Sequence, residues 1–349
     1  DLAIPFHSRW RHFSAGGRAR WAELAAILGE RLPEERARIR FDLAVVSVLL
    51  DAGAGERWSY CESDGAAFGH SEGLAVASCH MFRRGIFSAD PQTPCRADAT
   101  ALAAITSEGL AAELQVSEQN PMIGLAGRAA LLRRLGAALA ADRELFGEPP
   151  RIGHLFDYLS LSAAGGTLPA RNILAALMRG LGAIWPGREC LAGVNLGDVW
   201  RHSALRTDDE TDGLVPFHKL SQWLAYSLIE PLEEAGVAVT GIEELTGLAE
   251  YRNGGLLIDA GLIVPRDPTL LARRHFPGDE VVVEWRALTV ALLDRIAASM
   301  RARLGLDAAG LPLARVLEGG TWAAGRRIAR ERRPGGGPPL TVESDGTVF

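Results

Sequence analysis

The chain has 349 residues, and its 37 Lys and Arg against 43 Asp and Glu give a formal net charge of −6. That balance lacks the basic excess of a protein that coats nucleic acid. The hydrophobic fraction of 48% and charged fraction of 23% belong to an ordinary globular protein, and no apolar run approaches the ~20 residues of a membrane-spanning helix.

The opening "DLAIPFHSRWRHF" has no initiator Met, charged n-region or signal-peptide core, and reads as a start inside a longer protein. Apolar residues then recur at i, i+3, i+4 and i+7 in "RWAELAAILGERL" (20–32) and "RARIRFDLAVVSVLLDAGA" (36–54). The same period runs through "LAGRAALLRRLGAALAADREL" (125–145), "PARNILAALMRGLGAI" (169–184) and "WRALTVALLDRIAASMRARLGL" (285–306). Their Ala, Leu and Arg content also favours helix. "EVVVEW" (280–285) reads as the opening of the last of these helices, and "LTVESDGTVF" (340–349) predicts a terminal hairpin turned at Asp345-Gly346. Breaker-rich loops fall at 87–95, 147–153 and 333–339, none long enough for an interdomain linker, and no repeat is present. The expectation is one mainly helical domain over 1–349, with two lobes around a cleft as a variant.

"VPFHKLSQWLAYSLIEPLEEAG" (215–236) predicts a helix from Pro216, with Phe217, Leu220, Leu224 and Leu228 on one apolar face. Lys219, Gln222, Trp223 and Tyr226 form the neighbouring stripe. That stripe is either an amphipathic boundary with a snorkelling lysine or a pocket wall of aromatics around a desolvated cation. In "GIEELTGLAEYRNGGLLIDAGLI" (241–263), one short helix is expected to end at Glu250-Tyr251-Arg252. Gly254 and Gly255 then turn the chain, and Asn253 caps the next helix. Glu250 is either a local ion-pair partner or a carboxylate that stabilises positive charge or activates water.

"VNLGDVWRH" gathers Asp198, Trp200, Arg201 and His202, as a salt-bridge cluster or a ligand contact. Glu284 and Arg286 open a long helix, where an acid favours the helix dipole. Gly319-Gly320-Thr321 ahead of the basic run Arg326 to Arg333 is a candidate anion loop, against a solvated basic helix. Glu72 reads as a cap at a helix start. Phosphate-loop, dinucleotide, zinc-protease and serine-hydrolase motifs are all missing. The four cysteines (Cys61, Cys79, Cys95, Cys190) form neither a disulfide framework nor a zinc pattern, and the eight histidines show no ligand spacing. A cytoplasmic protein with no metal and no cofactor is expected.

Taken together, "PFHSRWRHF", "FDLAVVSVLLDAGAG", "LGDVWRH", "LVPFHKLSQWLAYSLIEPLEEAG", "LTGLAEYRNGGLLIDAGLI" and "RVLEGGTWAAGRRIA" resemble the uracil catabolism protein 4 family over essentially the whole chain. The resemblance implies a cytoplasmic route that degrades uracil through its nucleotide to urea and a three-carbon acid, and leaves the chemical step open. The second half is also similar to the queuosine-salvage N-glycosylases, which cleave the base–ribose bond of a nucleoside 5′-phosphate and have a helical, DNA-glycosylase-like fold. Their F-x-K-x-x-Q, L-T-x-x-x-D-Y-R and E-I-R-A patterns fall on Phe217, Lys219 and Gln222, then Glu250, Tyr251 and Arg252, then Glu284 and Arg286. A glutamate stands here for the family's aspartate, and Asn253-Gly254-Gly255 replaces a proline-containing turn.

The two resemblances together imply hydrolysis of a ring-opened uridine nucleotide, ribosylurea 5′-phosphate or a relative, to urea and ribose 5-phosphate. Glu250 and Lys219 are the expected catalytic pair. Gln222, Trp223, Tyr226, Tyr251, Arg252, Asp198, Glu284 and Arg286 are expected binding residues, with Arg201, His202 or Arg326 on the phosphate. The expected partner is this small molecule, with no nucleic acid and no membrane. A non-catalytic helical partner of a pathway enzyme and a base-excision protein are the alternatives, and the oligomeric state stays open.

Overall fold

The computed structural model describes residues 3–344, 346 and 347. Helices dominate, and strands among the described residues occur only as five two-stranded pairs, so the fold is mainly α. The short helix α1 (Arg9–His12) leads to α2 (Pro33–Leu49), which begins with Pro33 in its first turn, where a missing N–H costs nothing. A hairpin of β1 (Ser59–Cys61) and β2 (Ala67–Gly69) feeds directly into α3 (His70–Arg83). Next come α4 (Leu125–Ala141) and α5 (Ala170–Leu181), where the sequence period placed them. β3 (Thr167–Pro169) pairs in parallel with β8 (Ala238–Thr240), while β4 (Cys190–Leu191) and β5 (Val194–Asn195) form a small ribbon.

β6 (Val199–Arg201) and β7 (Leu214–Pro216) pair antiparallel just before α6 (Lys219–Glu234). α7 (Tyr251–Asp259), α8 (Glu280–Leu304) and α9 (Ala323–Arg332) follow, and further helices such as Arg20–Leu28 and His154–Leu161 lie between the labelled ones. One large apolar core runs from Trp10 through α2, α3 and α6 to Leu317. α2 and α6 form its centre: Phe41, Leu43, Val46, Leu224 and Leu228 are all fully buried. No helix among the described residues is long and apolar enough to cross a membrane.

The expected terminal hairpin is not what Thr341 and Val342 make. They form β10 (Thr341–Val342), which pairs in parallel with β9 (Arg274–His275), so the strand finds a partner far away in sequence. Asp345, Val348 and Phe349 of the expected hairpin lie outside the described residues. The anion-loop expectation also changes. Gly319, Gly320 and Thr321 sit inside a π-helical turn (Leu317–Trp322) that runs into α9, with Gly319 against Ile4 and the Thr321 hydroxyl on Asn253.

Candidate active site

A cavity of about 250 Å3 opens between α1, the end of α2, the β2–α3 junction, the starts of α6 and α7, and α9. Lys219 and Glu250 both line it. Each is the product of a local device different from the one expected.

α6 begins at Lys219, not at Pro216, because Leu214–Pro216 is committed to the ladder with β6 and His218 takes a left-handed conformation (φ 46°). Phe217 therefore leaves the helix face and packs with Ala249 and Val283. The first helical amide, Lys219 N–H, donates to Asp198 Oδ2 at 3.0 Å. A carboxylate from the residue just before β6 thus does the work of an N-cap. Arg286 fixes that carboxylate with two bonds of 2.8 Å, and Trp200 Nε1 adds one of 2.7 Å. Burial alone would raise the Asp198 pKa; Arg286, the Lys219 amide and Trp200 outweigh it and hold it at about 2.

Glu250 is itself the N-cap of α7. Its Oε1 accepts the Asn253 amide and its Oε2 the Arg252 amide, each at 2.8 Å. The expected turn at Asn253-Gly254-Gly255 does not form, since the helix passes straight through it. Gly254 is needed for close approach: a Cβ there would sit 2.7 Å from the Trp285 ring and 2.8 Å from Thr289. Gly325 on α9 has the same role, since its Cβ would meet the Arg252 carbonyl at 2.3 Å. Asn253, expected to cap, is buried in the first turn of α7 and bonds Leu248 and Thr321. Two amide donors pin the Glu250 carboxylate while each oxygen keeps a lone pair for a ligand.

The Lys219 side chain is 7% exposed, and its ammonium makes no hydrogen bond or ion pair with any described residue. It lies 5.2 Å from the centre of the Trp223 ring. Burial lowers its pKa from the ordinary 10.5, partly opposed by Asp51 and then Glu250. Asp51, which the sequence did not single out, ends the long apolar run of α2 and lines the cavity. It is held by Arg9 at 3.2 Å and by the Ser71 hydroxyl at 3.0 Å.

Aromatic rings form another part of the wall. His7 stacks on Trp223 at 5.9 Å and 16°, and His12 meets Trp223 and Trp322 edge-on at 5.4 and 5.3 Å. Burial, followed by the charges of Arg9 and His7, lowers the His12 pKa well below 6.5, so this ring is neutral at pH 7. Tyr251 and Arg252 also line the cavity, with the guanidinium 4.9 Å from the tyrosine ring centre. Arg326 and Arg330, a helical turn apart on α9, complete it, Arg326 being paired with Glu72. Glu72 is therefore a cavity residue as well as an acid in a first turn.

Of the remaining expected residues, Gln222 and Tyr226 lie behind the wall. They bond the amide and carbonyl of Thr246, bracing the loop that leads to Glu250. Asp198 and Arg286 are structural anchors one step removed from the cavity. Arg201 is exposed and pairs with Glu189, His202 accepts the Ala204 amide, and Glu284 is exposed on α8; none of the three reaches the cavity. β6 ends at Arg201, and the chain runs from there through His202 into the turn that leads to β7, away from the cavity that Lys219 lines. His7, His12, Asp51 and Trp322 were missed individually. The signals were present, as two histidines flanking arginines at the start and one acid closing an apolar helix, but nothing local links them.

Residues 1–349 match a family model described as "Protein of unknown function (DUF1688)". The chain is 42% identical to Protein urg3 of Schizosaccharomyces pombe over 351 residues, covering 99% of this chain and 84% of that protein. It is 39% identical to Uracil catabolism protein 4 of Lachancea kluyveri over 378 residues, covering 99% of this chain and 85% of that protein. The family resemblance read from the sequence motifs is thus borne out. By the full-length family match the chain belongs to the DUF1688 family, and by these identities it is a relative of both proteins.

Proposed function

We propose that the protein acts in uracil catabolism as an N-glycoside hydrolase, releasing urea and ribose 5-phosphate from ribosylurea 5′-phosphate. One observation carries this reading: buried Lys219 and Glu250 face the same small cavity, which also holds Arg252, Arg326 and Arg330. The pathway assignment draws on the name of the Lachancea kluyveri relative. A concave cavity lined by a buried, desolvated ammonium favours catalysis over a docking role.

In the proposed reaction, the C1′–N bond breaks and the sugar becomes oxocarbenium-like. The Glu250 carboxylate, already fixed by two amides, stabilises that charge without having to reorganise. Urea leaves as a neutral molecule only if its nitrogen receives a proton. Lys219 supplies it, and burial, by lowering the pKa, makes that proton easier to give. Asp51 and then Glu250 oppose that lowering. Water bonds C1′ and gives its proton to Glu250, and transfer back to the Lys219 amine closes the cycle. The His7–Trp223 stack offers a flat face for the planar ureido group.

The test is incubation of purified protein with synthetic ribosylurea 5′-phosphate, following urea and ribose 5-phosphate together. Equimolar appearance of both supports the assignment; no turnover of this compound or its ring-opened precursors removes it.

A further inference from the structure

Glu72 occupies a place suited to an anionic ligand. It lies in the first turn of α3, and its two oxygens take Arg326 Nη1 and Nη2 at 2.5 and 2.7 Å. That two-point fork is the geometry by which arginine grips phosphate. The pair sits on the cavity wall, with side-chain exposures of 24% for Arg326 and 30% for Glu72. The Arg286–Asp198 pair, at 2% and 11%, is shut away from any competitor. Arg326–Glu72 is therefore open to displacement and Arg286–Asp198 is not.

The surroundings favour an added anion. Arg330 lines the same cavity and forms no hydrogen bond or ion pair with any described residue. Arg252 and Arg326 both lie close enough to depress the pKa of His70, the first residue of α3, after burial as the larger cause. α3 is 14 residues long, and its cap Gly69 has no side chain to accept the first-turn amides. Independently of the helix end, unpartnered Lys219 shares the cavity while more than nine-tenths buried.

We propose that Glu72 is a resident stand-in for a phosphomonoester dianion, which displaces it from Arg326 and settles between Arg326, Arg330 and the amides that open α3. The identification of the ligand as a sugar phosphate rests on the reaction proposed above; the anion exchange does not. A neutral ligand lacks the charge to offset breaking the Glu72 pair, so the exchange selects phosphorylated molecules over their unphosphorylated forms.

Calorimetric titration with inorganic phosphate at constant ionic strength tests the exchange without turnover. The wild type binds phosphate. Glu72→Gln binds about tenfold more tightly, because Arg326 is freed from a competing charge, and Arg326→Gln binds at least about tenfold more weakly. The double variant matches Arg326→Gln, since Glu72 acts through that guanidinium. Circular dichroism verifies that each variant is folded, and if Arg326→Gln is not, the Glu72→Gln titration decides alone. Equal or weaker binding by Glu72→Gln, or no phosphate binding by either protein, overturns the proposal. Tighter binding by Glu72→Gln in a protein that releases no urea would uphold the exchange and remove the reaction.

Discussion

The Arg286 guanidinium grips the Asp198 carboxylate through two hydrogen bonds of 2.8 Å, and Asp198 in turn receives the amide of Lys219. The same guanidinium donates from Nε to the Ala249 carbonyl at 3.2 Å, immediately before Glu250. One buried cation thereby sets the positions of both proposed catalytic residues. Removing either partner strands the other as a buried charge, so Arg286→Leu should cost about 3–5 kcal/mol of stability. Urea denaturation measures this, and a loss under about 1 kcal/mol would show that the anchor is dispensable. The linkage has a definite sign. Asp198 is depressed from 3.8 to about 2, so its contribution is complete above pH 3.8 and is lost as pH falls through about 2. Acid titration of stability should lose that step in Arg286→Leu.

Glu250→Gln should lower turnover by about 10²–10⁴-fold, because the amide keeps the shape and loses the charge. It should also cost about 1 kcal/mol of stability, since the capping carboxylate accepts two amides and a carboxamide offers one oxygen. Near-normal kcat in a folded variant would move the carboxylate role to Asp51.

In the proposed reaction Lys219 is the acid, so kcat should fall as pH rises through its lowered pKa, on a limb lying below 10.5. Asp51 is the largest attractive charge on Lys219, ahead of Glu250, with Asp198 also attractive and Arg286 repulsive. Asp51→Asn should therefore move that limb to lower pH. A pH–rate profile that stays in place, or moves upward, would contradict the assignment of Lys219 as proton donor.

Arg201→Ala and His202→Ala should leave kcat/KM within about twofold of wild type, since both side chains lie outside the cavity. A selective rise in KM for the phosphorylated substrate in either variant would place the phosphate site at β6 instead.

The helical class was legible because long apolar periods such as those at 125–145 and 285–306 need no tertiary information. Lys219 and Glu250 were legible as unusual charges beside aromatics and glycines. Their local settings were not. Glycines usually break helices, yet Gly254 and Gly325 here allow helices to touch, which depends on Trp285 and the Arg252 carbonyl far along the chain. The start of α6 was misplaced because Pro216 fits a first helical turn equally well as a strand end, and pairing with Val199 decides between them. Asp51 and Glu72 enter the cavity only through the packing of α2, α3 and α9, which no single window of sequence contains.

The central claim is cleavage between C1′ and nitrogen. Turnover of ribosylurea 5′-phosphate in 18O-labelled water, with the sugar trapped at once by borohydride, reads which carbon receives the water oxygen. The account predicts label at C1 of the reduced ribose 5-phosphate and unlabelled urea. Label in carbon dioxide, with ammonia released in place of urea, would show attack on the ureido carbon and contradict it.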